Sequence, residues 1–391
     1  MQLTFDTEVE EFRAEFVGFL AEHLPTEAQA VERPSSTSGV PEWSRRWQRL
    51  QFDHGWLLPG NPPEFGGRNA NILQQFVHRE ELSKRRIYHS FNPQGVGIIA
   101  ASLLSFGTDE QKLRWAVPIL RAEMTASLGM SEPGAGSDLA GLRTTAERVG
   151  DHFVVNGQKV WTSGAHDADV VLTFVRTDAG APKHKGISAL LIRTDASGVV
   201  CRPFASVYDR DDLDFNEVFF TDVRVPVENL VGPLNGGWQV ANGSLGHERT
   251  LMWMAFANRL EQLLEDYRPA DEVNRDHYAT IAMDYYALRL LGSAALGRAS
   301  RGDVDVAGLS VLKVLGSEAE QNALRHALDA AGLEALRDHA LTAPYNPYAP
   351  NLFTASWFAR YNSSYAGTIA GGTSEIQRNI IAQRVLGLPS R

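Results

Sequence analysis

The sequence is poor in cysteine and has no long apolar run. Cys201 is the single cysteine among 391 residues, which excludes an internal disulfide framework and any zinc or iron–sulfur site built from several cysteines. Nowhere do about 18 apolar residues follow one another, so no membrane-spanning helix is expected. The first residues lack the basic and apolar regions of a secretory signal. We therefore expect a soluble, cytoplasmic protein.

The sequence also has fewer positively charged than negatively charged residues. Asp and Glu number 47 against 37 Lys and Arg, a net charge of −10, and without a basic run a nucleic acid is not the expected partner. The histidines show no H-x-x-x-H or H-E-x-x-H spacing, so no metal site is expected. No G-x-S-x-G elbow supplies a hydrolase nucleophile. A small anionic ligand held by local N–H groups and a few arginines remains compatible with this composition.

The hydrophobic pattern changes twice along the chain. Residues 1–123 repeat apolar positions at helical spacing, 124–231 consist of short β-type runs, and 232–391 return to helical spacing, interrupted by Pro344, Pro347 and Pro350. Asn156-Gly157 predicts a type I′ hairpin turn. The strand candidates are 153–155, 158–161, 170–175, 187–192 and 217–220. The expected fold class is α+β in three segments.

A glycine-rich stretch, Glu132-Pro-Gly-Ala-Gly-Ser-Asp138, is the first candidate ligand-binding motif. Its glycines permit close approach of backbone to a ligand, and its N–H groups could cradle a phosphate. It is not a dinucleotide fingerprint, because Leu139 occupies the position of the third glycine and the segment leads into β-type sequence. An ordinary turn is the alternative.

Glu248 is the second candidate, because it falls within an apolar helical stripe. That stripe comprises Leu245, Leu251, Met252, Ala255 and Phe256. Partial burial would raise the pKa of the Glu248 carboxyl and suit it as a general base for a weakly acidic C–H. A structural ion pair with Arg249 or with another helix is the alternative.

The third candidate is the segment 367–382. Gly371 and Gly372 precede Thr373, Ser374 and an apolar periodic helix, an arrangement that suits an anionic or carbonyl oxygen at a helix N-terminus. An ordinary capped loop would have the same pattern. By pattern alone, Trp161 indicates core packing and Cys201 a neutral or buried thiol.

Six motifs in this order resemble the acyl-CoA dehydrogenase family over essentially the full chain. They are 63–67 (PEFGG), 107–112 (GTDEQK), 131–138 (SEPGAGSD), 156–161 (NGQKVW), 217–232 (EVFFTDVRVPVENLVG) and 372–378 (GTSEIQR). The resemblance implies an N-terminal helical domain, a middle β-barrel or sandwich domain and a C-terminal four-helix bundle. It also implies FAD between the middle and C-terminal domains, and an electron-transfer flavoprotein as acceptor.

The resemblance further implies roles for individual residues. Leu128, Met130 and Ser131 would meet the flavin ring, Trp161 and Ser163 would line its far side, and Ser137 would approach the pyrophosphate or the CoA arm. Thr373 and Glu375 would contact the diphosphate and adenine side of FAD, and Arg249, Gly371 and Gly372 would contact substrate.

The catalytic base is assigned by comparing two positions. The family's commonest base is a Glu directly before the Gly-Thr pair near the C-terminus, which here is Gly371. Another branch places the base just before the Arg of the helix that opens the C-terminal domain, which here is Glu248 before Arg249. The resemblance therefore implies that Glu248 removes the α-proton, while the β-hydrogen leaves as hydride to flavin N5 and the Gly371 N–H binds the thioester carbonyl.

Two family motifs that touch FAD from a neighbouring subunit are missing. The chain has 267–275 (YRPADEVNR) in place of R-x-x-F-G and only Ala331-Gly332-Leu333 in place of Q-x-x-G-G-x-G. This resembles actinobacterial members that pair two unlike subunits, several of them acting on steroid side chains, and implies a homo- or hetero-tetramer in β-oxidation. A non-catalytic, cofactor-completing subunit and an acyl-CoA oxidase are the alternatives.

Overall fold

A computed structural model describes residues 5–26, 29–30, 32, 34–85, 87, 90–207, 212–244, 246–267, 269, 271–303, 305–336 and 356–389, without the side chains at 244, 246–250 and 306. The chain forms two compact units. The sheet unit comprises Glu10–Ala70 and Tyr88–Leu245, and the helical unit comprises Met1–Val9, Asn71–Ile87 and Gly246–Arg391. The boundaries of the three predicted segments stay a prediction, and the three prolines 344, 347 and 350 lie outside the described residues.

Helices occupy most of the chain outside the central β region. In chain order the α-helices are α1 (Thr7–His23), α2 (Glu42–Asp53), α3 (Ile72–Lys84), α4 (Ala100–Phe106), α5 (Asp109–Gln111), α6 (Val117–Leu120), α7 (Gly237–Ser244), α8 (Gly246–Asp266), α9 (Glu272–Ala299), α10 (Val306–Ala331), α11 (Trp357–Ile369) and α12 (Ser374–Ile380). Single π-helical turns at Gly95–Ile99, Lys112–Ala116 and Ile381–Val385 continue neighbouring helices.

Eight strands within the described residues form one sheet. They are β1 (Ala126–Gly129), β2 (Thr145–Val149), β3 (His152–Lys159), β4 (Val170–Arg176), β5 (Ile187–Arg193), β6 (Val199–Phe204), β7 (Phe215–Pro226) and β8 (Leu230–Val231). Their order is β6-β7-β3-β2-β4-β5-β8, and β1 pairs in parallel with β4. Most other pairs are antiparallel, as the short connections between consecutive strands allow.

Strand β4 is buried on both faces, which explains why its sequence, VVLTFVR, shows no polar alternation. Val170, Leu172 and Phe174 join a core formed with helices α4 and α6. Val171 and Val175 point the other way, into a core shared with β3 and β7. The sheet unit therefore has an apolar layer on each side of this strand.

The predicted turn at Asn156-Gly157 is wrong. Strand β3 runs through both residues, and its hairpin partner β2 is reached through Gly150, whose φ of 64° supplies the left-handed turn residue. Gly157 instead marks a bulge, because the pairing of β3 with β7 shifts between Val155 and Gly157. A Cβ at Gly157 would lie 2.6 Å from the Thr144 Cα, so this glycine permits a close backbone approach.

In the helical unit, α10 is the central helix and packs against α8, α9, α11 and α12. Two glycines allow its neighbours to come close. A Cβ at Gly316 of α10 would lie 2.8 Å from the Phe256 ring of α8, and one at Gly292 of α9 would lie 2.3 Å from the Trp253 ring. Arg259 of α8 and Glu320 of α10 form a two-pronged ion pair, with N–O distances of 2.5 and 2.8 Å.

Candidate functional site

In the sheet unit, the structure brings together two of the predicted cofactor-binding segments. Leu128 lies on β1 and packs against the apolar core, while Met130 and Ser131 follow the end of this strand. The Val160 N–H donates to the Ser131 carbonyl at 3.0 Å. The Ser127 hydroxyl donates to the Ser163 carbonyl at 2.7 Å. These bonds fix the segment after β1 beside the segment after β3.

Trp161 is not a core residue, which corrects the interpretation from its pattern alone. Its side chain is 60% exposed, and its φ of 61° is left-handed, which is rare for a bulky residue. Phe204 and Phe215 contact the indole edge to face at centroid distances of 5.2 and 5.5 Å. An exposed aromatic residue held in a strained backbone conformation is typical of a ligand-binding position.

The glycine-rich loop is closed by its own backbone. Glu132 and Ala135 exchange N–H···O bonds of 2.9 and 3.1 Å, and Ser137 is exposed beyond this turn. Apart from the glycine and its two chain neighbours, no atom of the described residues lies within 4 Å of a Cβ built at Gly134 or Gly136. The glycines therefore leave open space on the loop and are not required by packing within the sheet unit, which is the geometry that a ligand approaching the backbone needs.

In the helical unit, Glu248 and Arg249 lie on α8 near its first residue, Gly246, but their side chains are outside the described residues. Further along α8, Leu251 and Phe256 are buried as the predicted stripe requires, whereas Ala255 is exposed. Met252 and Trp253 line a small cavity whose wall also includes Gly371. Two parts of the predicted substrate site, α8 and the glycine pair, thus meet at one cavity.

The segment before α12 matches its predicted form. Gly371 and Gly372 have φ angles of 66° and 93°, which favour glycine. The Gln377 side chain donates to the Gly371 carbonyl at 2.9 Å, and the Thr373 hydroxyl caps α12 by accepting from the Ile376 N–H at 3.3 Å. The pKa of Glu375 is lowered by hydrogen bonds from its own backbone N–H and from Thr373.

Three charged side chains in or beside these segments make contacts that the sequence patterns do not predict. Glu132 and Lys159 form a buried ion pair beside Met130. Lys313 of α10 lines the cavity that contains Gly371, and its ammonium is buried with no hydrogen-bond partner among the described residues. Burial lowers the pKa of Lys313, although Glu318 and Glu375 oppose this effect. The available signal was Lys313, which stands between leucines and valines, whereas Lys159 follows the polar run Asn156-Gly157-Gln158 and gives no such signal.

A metal site and a membrane-spanning helix have no counterpart among the described residues. No group of three or more His, Cys, Asp or Glu side chains is placed to hold a metal ion in the part of the chain that the structure describes. Within the same residues, no helix combines the length and the apolar character needed to cross a membrane. Burial raises the pKa of the Cys201 thiol to about 11, so this thiol is neutral at pH 7, as predicted.

A β module that lies between two helical regions of the sequence defines an α+β protein. Three family models match the chain in succession: acyl-CoA dehydrogenase, N-terminal domain, over residues 6–123; middle domain, over 127–223; and C-terminal domain, over 235–386. The chain belongs to the acyl-CoA dehydrogenase family. The α+β fold class is thereby confirmed.

Similar proteins agree with this membership over the whole chain. Acyl-CoA dehydrogenase IpdE1 of Mycobacterium tuberculosis is 34% identical over 398 residues, 98% of each chain. The solved structure titled Tcur3481-Tcur3483 steroid ACAD has a TM-score of 0.82 at 30% identity, with 100% of each chain covered. The ChsE4-ChsE5 complex from Mycobacterium tuberculosis has a TM-score of 0.78 at 30% identity, again with full coverage. The protein is an oxidoreductase acting on the CH–CH group, similar to actinobacterial steroid-type members.

Proposed function

We propose that the protein oxidises an acyl-CoA thioester to its trans-2-enoyl-CoA product with FAD as cofactor and Glu248 as the base. One observation carries this proposal. Position 371, where many members of the family have the base, is a glycine in a left-handed conformation, whereas Glu248 stands directly before Arg249 on α8. The chain therefore has a carboxylate at one of the two base positions and none at the other.

The described residues fit a flavin. Trp161 offers an exposed aromatic face, and the backbone of Met130 and Ser131 lies beside it in a segment held by hydrogen bonds. Leu128, Ser163 and Ser137 would complete the contacts in the sheet unit, and Thr373 and Glu375 those in the helical unit. The open space at Gly134 and Gly136 admits a phosphate to the loop backbone.

The chain's own groups supply proton transfer and alignment. Glu248 takes the α-proton, so the C–H electron pair becomes available for the new C=C bond as the β-hydrogen departs with its own pair. The Gly371 N–H binds the thioester carbonyl and stabilises the negative charge that develops on its oxygen, with Gly372 and Arg249 beside the substrate. When bound, FAD supplies the two-electron acceptor for the departing hydride, and an electron-transfer flavoprotein reoxidises it.

Similar structures suggest the substrate and the assembly. Two of them are titled as pairs of differently named proteins, and one of these is called a steroid ACAD. We therefore infer that the substrate is a CoA thioester of a steroid-derived acyl group and that the chain pairs with a second acyl-CoA dehydrogenase-like subunit. The missing motifs at 267–275 and 331–333 support this pairing, because they belong to the family's shared cofactor site.

Glu248→Gln tests the base directly. The substitution keeps the size of the side chain but removes the basic oxygen, so the rate of anaerobic flavin bleaching should fall by about 10²- to 10⁴-fold at unchanged FAD content. The measurement uses a panel of straight-chain, branched and steroid-side-chain CoA thioesters, and the thioester that bleaches wild type fastest identifies the acyl class.

Glu272→Gln is the matched control, because Glu272 is exposed at the start of α9 in the same unit. It should bleach at the wild-type rate. Normal turnover by Glu248→Gln with FAD bound would show that another group is the base. If co-expressed pairs lose activity only when the partner's glutamate is changed, the chain is instead a cofactor-completing subunit. Oxygen consumption without an electron-transfer flavoprotein would identify an oxidase.

A further inference from the structure

A buried ion pair lies inside the sheet unit between two loop segments. Lys159 is the last residue of β3 and Glu132 opens the glycine-rich loop. The Lys159 Nζ lies 2.8 Å from the Glu132 Oε1, and the two side chains are 0% and 7% exposed. Neither charge is shared with bulk water, so each depends on its protein partners.

The pair also bonds to the backbone at both ends of the loop. The Lys159 Nζ donates to the Met130 carbonyl at 3.2 Å. The Glu132 carboxylate accepts from the Arg143 N–H at 2.6 Å and from the Thr144 N–H at 2.9 Å. The segment from 130 to 144, which contains Ser131 and Ser137, is therefore anchored at its beginning and at its end by one charged pair.

The same pair reaches the aromatic side of the proposed cofactor site. Lys159 is followed by Val160, whose N–H donates to the Ser131 carbonyl, and then by Trp161. The Lys159 ammonium thus bonds to the Met130 carbonyl from the end of the strand that leads to Trp161. Two segments that are distant in sequence, 130–132 and 159–161, are locked in register by bonds on consecutive residues.

Stability alone does not account for charges at this position. Burial of an ion pair costs a desolvation penalty that often equals or exceeds the attraction, and well-packed apolar residues are commonly as stable. What apolar residues cannot do is hold a carbonyl oxygen and two N–H groups in fixed directions. The geometry that the pair imposes is therefore its distinguishing contribution.

We propose that Lys159 and Glu132 are positioning residues that hold Met130 and Ser131 in place against Trp161 and so set the affinity for the flavin. This inference rests on the proposed function, since it takes FAD as the ligand of these segments. The bond from Lys159 to the Met130 carbonyl fixes the backbone next to Ser131. Without this bond, the backbone at Met130 and Ser131 must become ordered each time FAD binds. The cost of that ordering weakens the binding of FAD.

Three variants test the proposal. Each is produced in the same assembly in which the wild-type chain carries FAD, and the FAD is then removed to give the apoprotein. Lys159→Met removes the ammonium and leaves Glu132 buried without its partner. Glu132→Gln combined with Lys159→Met removes both charges and retains an acceptor oxygen for one of the two N–H groups, that of Arg143 or that of Thr144. Lys183→Met is the matched control, because Lys183 pairs at 3.0 Å with Asp138 of the same loop but both side chains are exposed, 69% and 62%.

The readouts are the Kd for FAD by fluorescence titration and the melting temperature of the apoprotein. Lys159→Met should raise the Kd by about 10- to 100-fold and lower the melting temperature. The double variant should regain most of the melting temperature but keep a raised Kd, whereas Lys183→Met should stay within about twofold of wild type.

A double variant that binds FAD with wild-type affinity would overturn the proposal and reduce the pair to a structural element. If Lys159→Met alone does not fold, the double variant still decides the question. A double variant that also fails to fold at wild-type expression temperature would likewise assign the pair to folding and overturn the positioning role. Wild-type protein that binds no FAD in any assembly would instead refute the proposed function.

Discussion

At the scale of single residues, the ammonium of Lys159 links pH to the cofactor site. Burial lowers the pKa of Lys159 to about 8, although Glu132 acts to raise it. The pKa of Glu132 stays below its usual range: burial would raise it, but the charge and hydrogen bond of Lys159 and the N–H groups of Thr144 and Arg143 outweigh that effect. Both groups are therefore charged at pH 7, and Lys159 loses its proton as the pH passes through about 8.

The affinity for FAD and the stability of the apoprotein should respond to this titration with opposite signs. The Kd for FAD should rise above pH 8, because the neutral amine no longer holds the Met130 carbonyl as firmly. The Lys159 contribution to the free energy of unfolding should increase between about pH 8 and 10.5, because there the unfolded chain binds the additional proton.

Titrations of wild type and of Lys159→Met from pH 6.5 to 9.5 check both signs. Subtracting the variant removes the contribution of Lys313, whose pKa is also lowered, because that lysine is present in both proteins. The difference that remains comes from Lys159 and from the Glu132 carboxyl that it holds in the charged form. A pH profile for FAD binding that is identical in the two proteins would contradict the expectation.

Single residues could be predicted where a short sequence motif contains the necessary information, and not where a distant contact or a backbone angle decides the role. Two short motifs in the sequence are enough to propose Glu248 as the base without the structure. The sequence does not predict the role of Lys159, because its partner Glu132 is 27 positions away. Strand alternation does not indicate which buried charges form a pair. The hydrophobic pattern alone predicts core packing for Trp161, because hydrophobicity does not encode a left-handed φ.

At the scale of elements, one glutamine joins helix α5 to strand β8. Thr108 and Gln111 form a capping box at α5, and the Gln111 amide also donates to the Glu228 and Leu230 carbonyls at 2.7 and 2.8 Å. Gln111→Ala should lower the free energy of unfolding by about 2 kcal/mol, because two carbonyls lose their donor. Denaturant unfolding of the apoprotein measures the loss.

Gln74→Ala is the matched control for this prediction. Gln74 completes the same type of capping box with Asn71 at α3, but it is only half-buried, and its amide makes one further bond, to the Glu8 carboxylate at 3.3 Å. Its loss should cost only about 0.5 kcal/mol. Equal losses for both variants would show that the box itself, and not the bonds to β8, stabilises the protein.

Elements were predicted best where local chemistry decides them. The start of α12 follows from Thr373 and the glycine pair, and β4 and β5 follow from apolar runs that end in charged residues. Asn156-Gly157 gave a false turn, because the same dipeptide serves at a bulge when a second strand, β7, pairs on the far side of β3. A sequence window contains no information about that second partner.

At the scale of the whole molecule, α9 has an exposed apolar stripe, where we expect a further subunit to pack. Met283, Tyr286 and Leu290 lie at helical spacing and are 70%, 62% and 53% exposed. Together with the missing motifs at 267–275 and 331–333, the stripe predicts that the chain purified alone binds less than one FAD per chain. Co-expression with an unlike acyl-CoA dehydrogenase-like subunit should raise the occupancy.

Flavin absorbance per chain and light scattering measure the occupancy and the assembly. Met283→Asp should weaken the assembly and lower the occupancy, whereas Leu113→Asp, at a position 68% exposed in the sheet unit, should change neither. A homotetramer with one FAD per chain would contradict the expectation of two unlike subunits.

The order of helical, β and helical sequence was predictable because hydrophobic period changes at each boundary. The grouping of Asn71–Ile87 with the C-terminal helices was not. It depends on contacts between α3 and α9, which lie about 200 positions apart and leave no mark on either sequence alone.

The single cysteine has a practical consequence. With a pKa of about 11, only about one Cys201 thiol in 10⁴ is ionised at pH 7, and thiolate is the form that reacts with maleimides. A cysteine introduced at an exposed site such as position 113 would have a pKa near about 8.5 and react far faster. The native chain is thus a background for attaching one fluorophore or spin label at a chosen site, with Cys201 left in place.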